Sequence, residues 1–337
     1  MHTEINPVYI PAVAKLHGML WLPDDAPRFV LQITHGMTEH IGRYEEFACR
    51  LTAHGIAVAG FDLPGHGKNP GFPDCATLGK SGWKQSLDAI RLLHQQLYHC
   101  FSDCPHILLG FSLGSFLLRD FLSHTPEQIA GVILIGTGAQ PAPVLSILKH
   151  IVQKQVEQFG FDSTTPLVKN LSFGTYNKKF KPCRTDADWL CSDEQQLDEY
   201  LSDPLCRPDI SSGLFWQLLD GMQRTGTSAS CAEWPDALPT LLLSGKEDPV
   251  GGFGQGIKTV ANLLQKAGQP QVDTLLIPNA RHDVLHEIAN GGADAAVLEI
   301  LHFIDNLKNR FTADSDILQS HPQSTPWQCE NPVHLDE

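Results

Sequence analysis

A serine lies within a short glycine-containing run, G-F-S-L-G at positions 110–114, directly after the apolar residues 106–109. The residues that follow have a helical pattern of apolar positions. A turn this sharp between a strand and a helix needs small residues beside the serine, and it lifts the hydroxyl clear of the backbone. The pattern predicts Ser112 as a nucleophile, with Gly110 and Gly114 shaping the turn. The alternative is a glycine-rich turn that holds a buried serine.

An unassisted serine hydroxyl is a weak nucleophile, so it needs a general base and an acid that orients the base. After a strand–serine–helix turn, these partners follow in the order acid, then histidine, each at the end of a later strand. Asp248 follows the apolar run 240–243, and His282 follows the run 274–277. We therefore expect Asp248 to be the acid and His282 the base.

Two neighbouring residues are alternatives for these roles. Glu247 could replace Asp248, and His286 could replace His282, although His286 is expected inside the next helix. The non-catalytic interpretation is a solvated loop aspartate and a surface histidine. Their placement after successive strands, in the required order, argues against it.

Acyl transfer also needs N–H donors aimed at the oxyanion of the tetrahedral intermediate. Leu113, directly after the serine, can supply one backbone N–H. The second donor usually comes from the loop after an early strand. Met37 lies in such a loop, with His35 and Gly36 supporting it. We expect Met37 and Leu113 to form the oxyanion hole.

These residues must be positioned by a sheet, and the sequence predicts one. Short apolar, β-branched runs alternate with longer helical patterns such as 83–98, which is typical of a parallel sheet with crossover helices. The predicted strands are residues 29–34, 56–61, 106–109, 132–135, 240–243 and 274–277. A doubly wound α/β fold would bring the loops after these strands to one edge of the sheet.

The alternation stops between about residues 140 and 235, where a helical stretch over 144–159 precedes irregular, aromatic-rich sequence. This pattern indicates an inserted cap. The expected organisation is a core in two parts, 1–139 and 236–310, the cap at 140–235 and a polar tail at 311–337. The apolar stripe of the cap helix predicts packing on the core or cap, or alternatively a lid that lines an acyl tunnel.

Composition narrows the partners and the compartment. The 337 residues carry a formal net charge of -14, which disfavours nucleic acid and leaves no polybasic membrane anchor. The nine cysteines are scattered, without a C-x-x-C pair, which is typical of reduced thiols. No secretory signal or spanning apolar stretch is visible, so we expect a cytoplasmic protein.

A metal or organic cofactor is not expected. His282 and His286 have the spacing of helix ligands, but the segment from His286 lacks the second histidine of H-E-x-x-H. No Gly-x-Gly-x-x-Gly or P-loop pattern follows a predicted strand, so nothing indicates a nucleotide.

Three further segments resemble one family. H-G-M-T-E-H-I-G-R-Y at 35–44 is similar to the HGxxEHxxRY signature of the monoacylglycerol lipase and lysophospholipase branch of the α/β hydrolases. D-L-P-G-H-G at 62–67 resembles the D-x-x-G-H-G loop of that branch, and Y-L-S-D-P-L-C at 200–206 its S-D-P-L cap segment. The similarity covers about residues 10–310. The chain departs from the family at Phe111, Ser115 and Asn69, which bears on acyl or headgroup preference.

The resemblance implies an α/β-hydrolase fold and a serine ester hydrolase for monoacylglycerols, lysophospholipids or simple carboxylic esters. It implies a small-molecule acyl ester as the partner. From the net negative charge we expect at most transient contact with a membrane or with lipid aggregates. One alternative is a serine aminopeptidase of the same superfamily, which would need cap carboxylates to bind a substrate ammonium group. Its candidates are Glu157, Asp162, Asp186, Asp188 and Glu194. The other alternative is a non-catalytic binding protein of the same fold.

Overall fold

The computed structural model describes residues 16–69, 75–124, 128–206 and 209–314, with the backbone alone for 308–314. Within these ranges seven strands form one sheet, in the order β1-β3-β2-β4-β5-β6-β7. The strands are β1 (Gly18–Trp21), β2 (Phe29–Thr34), β3 (Ile56–Phe61), β4 (His106–Phe111), β5 (Gly131–Ile135), β6 (Thr240–Gly245) and β7 (Val272–Ile277). Only β1 runs antiparallel to its neighbour, β3. The predicted α/β-hydrolase fold class is confirmed.

The six predicted strands all exist, and their differences lie at the ends. β2 and β3 have the predicted bounds, β4 and β6 continue two residues further, and β5 and β7 begin earlier. β1 was not predicted from the sequence. Two of its four residues are only half-buried, so it lacks the continuous apolar run that marks a central parallel strand.

Helices cover both faces of the sheet. One face packs against α2 (Gly82–Cys100), α3 (Leu113–Leu122) and α9 (Gln255–Lys266), and the other against α1 (Glu45–Thr52) and α10 (Gly292–Asp314). The expected boundary of the tail is wrong, because α10 continues past residue 310 to Asp314. The rest of that tail lies outside the described residues. None of the helices that the structure describes has the length and apolar content needed to cross a bilayer.

The segment between β5 and β6 is helical, and we call residues 140–235 the cap segment. It contains α4 (Ala142–Phe159), α5 (Pro166–Ser172), α6 (Glu194–Ser202), α7 (Ser212–Thr225) and α8 (Ser228–Cys231). The apolar stripe of α4 is divided between two environments. Leu145 and Val152 are buried, whereas Val144, Ile147 and Phe159 are exposed.

Two histidines are buried side by side at the amino end of β4, in the middle of the sheet. His94 on α2 and His106 at the start of β4 lie ring against ring, with centroids 5.3 Å apart. Burial lowers the pKa of His94 to about 4 and also lowers the pKa of His106. The unfolded chain takes up protons near the ordinary histidine pKa of about 6.5, whereas the folded chain resists protonation. The unfolded state therefore binds more protons in this window, and stability falls as the pH decreases.

We expect the substitution His94→Leu to weaken this pH dependence. The loss of unfolding free energy between pH 7 and pH 4 should shrink by about 2–3 kcal/mol, because one of the proton uptakes that favour unfolding is removed. Urea unfolding at a series of pH values measures it. His99→Leu, at an exposed position on the same helix, is the matched control. An identical pH slope in the His94 variant and the parent chain would contradict the prediction.

Candidate active site

Ser112 lies at the turn from β4 to α3 with φ 49° and ψ −115°. A positive φ is uncommon for a residue other than glycine and marks a backbone that its surroundings hold in place. Glycine is required on both sides of this turn. A Cβ at Gly110 would lie 2.7 Å from the Gly114 carbonyl oxygen, and one at Gly114 would lie 2.0 Å from the Thr34 carbonyl oxygen. The close approach of α3 to β2 thus presents the hydroxyl of Ser112 above the sheet.

The three predicted catalytic side chains meet at the carboxyl ends of β4, β6 and β7. The Ser112 hydroxyl donates to Nε2 of His282 at 2.9 Å, and Nδ1 of His282 lies 3.0 Å from Oδ1 of Asp248. His282 and Asp248 are both buried. An acceptor nitrogen facing the hydroxyl, with a carboxylate behind the other nitrogen, is the arrangement that general-base activation of a serine requires.

Asp248 is held as a carboxylate by its surroundings. Val250 N–H donates to Oδ1 at 2.8 Å, and the Ser244 hydroxyl donates to Oδ2 at 3.0 Å. Burial by itself would raise the pKa of Asp248, but His282, the Gly251 N–H and the Ser244 hydroxyl outweigh it and lower the pKa below its ordinary value. The side chain therefore carries the negative charge that an imidazolium ion would need as a partner.

The neighbouring alternative for the base occupies a different environment. The expectation that His286 lies inside the next helix is wrong, because Val284–His286 is a short 3-10 turn and α10 begins only at Gly292. Gly291, at φ 76°, interrupts the right-handed path before that helix. Nδ1 of His286 lies 2.8 Å from Asp283, and Nε2 donates to the Arg43 carbonyl at 3.1 Å. Both ring nitrogens are thus engaged away from Ser112.

The two predicted oxyanion donors lie beside the serine. Met37 and Leu113 line one cavity together with Ser112 and His282. In the part of the chain that the structure describes, neither the Met37 nor the Leu113 N–H donates to a protein acceptor. Both groups are therefore free to donate to a substrate oxygen.

His35 and Gly36 fix the loop that carries Met37. Nε2 of His35 accepts from Leu63 N–H at 2.8 Å, while Nδ1–H donates to the Gly36 carbonyl at 2.7 Å. Burial lowers the pKa of His35, so the ring stays neutral and keeps Nε2 as an acceptor. Gly36 N–H donates to Glu39 at 2.6 Å. Through these contacts His35 and Gly36 hold the loop that carries Met37 in place.

A buried ion network beside the site was missed by sequence reasoning. Arg43 donates to Glu39 and, at 2.9 Å, to Asp283, the residue after His282. The Tyr44 hydroxyl donates to Glu39 at 2.8 Å. Burial alone would raise the pKa of Asp283, but His286 and Arg43 hold it well below its ordinary value. The signal was present in the motif at 35–44, whose charged residues connect the loop of Met37 to the loop of His282.

Ser112 opens into a cavity of about 870 Å³ between the sheet edge and the cap segment. Its walls are mainly apolar and include Leu145, Leu148, Phe173, Trp189 and Phe215. Its polar side chains are Thr38, Ser112, Gln140, Ser172, Tyr176, Gln255, Thr259 and His282. Among the described lining residues there is no Asp, Glu, Lys or Arg. The cap carboxylates that an aminopeptidase would need therefore lie elsewhere; Asp162, for example, accepts from Thr77, and Asp188 from Thr185.

One cluster in the described ranges has a metal-ligating composition. Ligand atoms of His40, Asp203 and Cys206 lie within 4.8 Å of one another. However, Nε2 of His40 donates to Asp203 at 2.8 Å while Nδ1 accepts from Gly42 N–H, so both nitrogens are occupied. Burial raises the pKa of the Cys206 thiol well above its ordinary value, which disfavours the thiolate that a metal requires. The cluster is a hydrogen-bonded contact between the motif loop and the cap segment.

Gly136, at the end of β5, is a further residue that the site requires. It has φ 61°, and a Cβ there would lie 2.7 Å from Cε1 of His282. We expect Gly136→Ala to lower kcat by about 100-fold, because a displaced imidazole no longer meets Ser112. Steady-state hydrolysis of a soluble short-chain ester measures the effect.

The matched control for this substitution is Gly268→Ala. Gly268 has φ 88° and open space around it, so an alanine there adds only the backbone strain of about 1–2 kcal/mol. Its kcat should stay close to that of the parent chain. Equal turnover in the two alanine variants would show that contact with the imidazole is not the cause.

Comparison with known proteins agrees with this architecture. The profile of the Hydrolase_4 family, described as serine aminopeptidase S33, matches residues 25–289. Monoglyceride lipase of Mus musculus is 25% identical over 267 residues, 79% of this chain and 78% of the relative. Monoacylglycerol lipase of Mycolicibacterium smegmatis is 24% identical over 80% of this chain and 86% of its own. A carboxyl esterase of Bacillus coagulans shares the fold with a TM-score of 0.77, at 22% identity over 87% of this chain and 94% of that one.

The chain therefore belongs to the Hydrolase_4 (serine aminopeptidase S33) family and has the α/β-hydrolase fold. Within the α/β hydrolases it falls in the monoacylglycerol lipase branch, and it is a serine ester hydrolase.

Proposed function

We propose that this enzyme hydrolyses neutral carboxylic esters with a long acyl chain, and that monoacylglycerols are the class that fits best. The observation that carries the proposal is the cavity at Ser112, which holds about 870 Å³ and is walled mainly by apolar side chains. This volume is near the upper end of the range of about 300–1,000 Å³ that is usual for small-molecule sites. A long hydrocarbon chain would bury its surface there.

The absence of charged side chains from the described cavity lining favours a neutral alcohol group. A phosphate headgroup would find no Lys or Arg among these residues, and a substrate ammonium group would find no carboxylate. A charge buried without a partner is costly. Hydroxyl groups of a glycerol could instead use Thr38, Tyr176 or Gln255. The names of the mouse and mycobacterial relatives support the same substrate class.

In the proposed mechanism Ser112 attacks the ester carbonyl while His282 takes its proton. Asp248 holds the imidazole in the correct tautomer and stabilises its positive charge, and the N–H groups of Met37 and Leu113 bind the oxyanion. His282 then returns the proton to the departing alcohol. Water removes the acyl group from Ser112 by the same steps in reverse, which releases a fatty acid and restores the enzyme. The step needs no metal or organic cofactor.

The experiment that tests this substrate class is a comparison of kcat/KM across a panel. The panel contains monoacylglycerols of short to long chain, a lysophosphatidylcholine and an aminoacyl arylamide. We expect the highest value for a long-chain monoacylglycerol, on the order of tenfold or more above the lysophospholipid. A preference for the lysophospholipid would refute the neutral-headgroup assignment. Cleavage of the arylamide without any glyceryl ester would move the function to a peptidase.

We further propose that residues 140–235 act as a cap that touches lipid aggregates transiently. Val144 and Ile147 are exposed on α4, and Val144 also lines the cavity. We also propose a cytosolic location, because no disulfide joins any of the described cysteines. These are Cys49, Cys75, Cys100, Cys104, Cys183, Cys191, Cys206 and Cys231.

A further inference from the structure

A short part of the cap segment is fastened to both chain neighbours of His282. The Arg281 guanidinium donates to two cap carbonyls, and Asp283 N–H donates to a third at 2.8 Å. The three carbonyls belong to Asp188, Cys191 and Leu190. Arg281 also lies over the ring of Phe180, 4.3 Å from its centroid. The residues on each side of His282 are thereby tied to one short stretch of the cap, residues 188–191, by the side chain of Arg281 and the backbone of Asp283.

Trp189 lies between these attachment points and contacts the histidine itself. Its ring and that of His282 have centroids 5.6 Å apart, at an angle of 40°. The indole is fixed in turn by stacking on Phe173 at 5.5 Å and 17°, and by its backbone N–H, which donates to Asn177 at 2.7 Å. From the core, Phe111 contacts the same imidazole at 5.0 Å. Among the described residues, Phe111 from the core and Trp189 from the cap are thus the aromatic neighbours of the His282 ring.

This contact bears on the reaction in two ways. First, Trp189 and His282 both line the large cavity, so the indole fills space into which the imidazole could otherwise turn away from Ser112. Second, proton transfer from Ser112 gives the ring a positive charge, and the face of an aromatic ring within about 6 Å stabilises a cation. Both effects act on the step at which the ring receives the proton.

We propose that Trp189 is a positioning residue for His282, so that the cap contributes to the chemistry as well as to substrate binding. This inference rests on the proposed role of His282 as the base. It means that the base is fully aligned only when residues 188–191 are seated against Arg281 and Asp283. Displacement of that segment would leave Ser112 less reactive even toward a substrate too small to reach the cap.

The test is the substitution Trp189→Leu, assayed with a short soluble ester and with the rate of labelling by a small fluorophosphonate. Both probes react at Ser112 without needing the acyl cavity. We expect kcat and the labelling rate to fall on the order of tenfold or more, with little change in KM. Trp189→Phe, which keeps an aromatic ring at the position, should restore most of the rate. Should the leucine variant not fold, Trp189→Met takes its place in the comparison with Trp189→Phe.

The matched control is Trp216→Leu. Trp216 is a half-buried tryptophan on α7 of the cap, and it does not line the cavity. The variant should retain kcat within about twofold for the short ester, as distant surface-directed changes usually do. Parent-like kcat in Trp189→Leu, no recovery in Trp189→Phe, or an equal loss in Trp216→Leu would each overturn the inference. Ser112→Ala is assayed alongside, because activity that survives it would instead refute the proposed function.

Discussion

Replacement of Ser112 by alanine is expected to lower kcat by about 10⁴-fold or more for every ester that the protein cleaves. The methyl group cannot form the acyl bond, and the hydroxyl that donates to His282 at 2.9 Å is lost. The variant still binds the ester and still has the oxyanion donors, so the only remaining reaction is direct attack by water. Turnover of a long-chain monoacylglycerol and labelling by a fluorophosphonate both measure the loss.

Ser146→Ala is the matched control, because this serine is exposed on α4 and lies outside the cavity lining. Its kcat and thermal unfolding midpoint should equal those of the parent chain. Retention of even a tenth of parental turnover in purified Ser112→Ala would exclude Ser112 as the nucleophile.

Asp248→Asn is the second large effect, with kcat expected to fall by about 10⁴-fold. The carboxylate lies 3.0 Å from Nδ1 of His282 and is fully buried. An asparagine can turn its NH₂ group toward Nδ1, which favours the tautomer that carries its proton on Nε2. That nitrogen then faces the Ser112 hydroxyl as a donor and cannot accept its proton. Steady-state kinetics on a soluble ester, with thermal unfolding to confirm folding, measures the change.

The control is Glu247→Gln at the neighbouring position, the alternative acid that the sequence left open. The structure gives the Glu247 carboxylate no contact with His282 among the described residues, so its replacement should change kcat less than about twofold. A larger loss in Glu247→Gln than in Asp248→Asn would reverse the assignment of the acid.

The parts of the site that follow from local sequence were predictable. Gly110 and Gly114 are required by a turn whose neighbours approach within a few ångströms of the missing Cβ atoms. Such a requirement is visible as a pattern of small residues. Asp248 and His282 could be assigned because parallel strands place the loops that follow them at a common edge. The ends of the strands were predicted less accurately, because β4 and β6 continue into the turn residues that normally mark a boundary.

The contacts that depend on distant segments were beyond sequence reasoning. Arg43 joins Asp283, 240 positions later in the chain, and nothing local to either residue specifies the pairing. The contact of Trp189 with His282 could not be predicted from local sequence either, because it follows from how an irregular part of the cap packs on the core. His286 was misplaced into a helix for a related reason. Its contacts with nearby Asp283 and with the distant Arg43 carbonyl, rather than helical periodicity, decide the conformation there.

Ser112 is expected to carry the acyl group during hydrolysis. The most direct test is to mix the protein with a long-chain monoacylglycerol analogue bearing a p-nitrophenyl leaving group, quench in acid, and locate the acyl adduct by peptide mass spectrometry. We expect one adduct, on the peptide that contains Ser112, and none in Ser112→Ala. An adduct on a different residue, or rapid turnover in which no acyl-enzyme can be trapped and Ser112→Ala remains active, would contradict it.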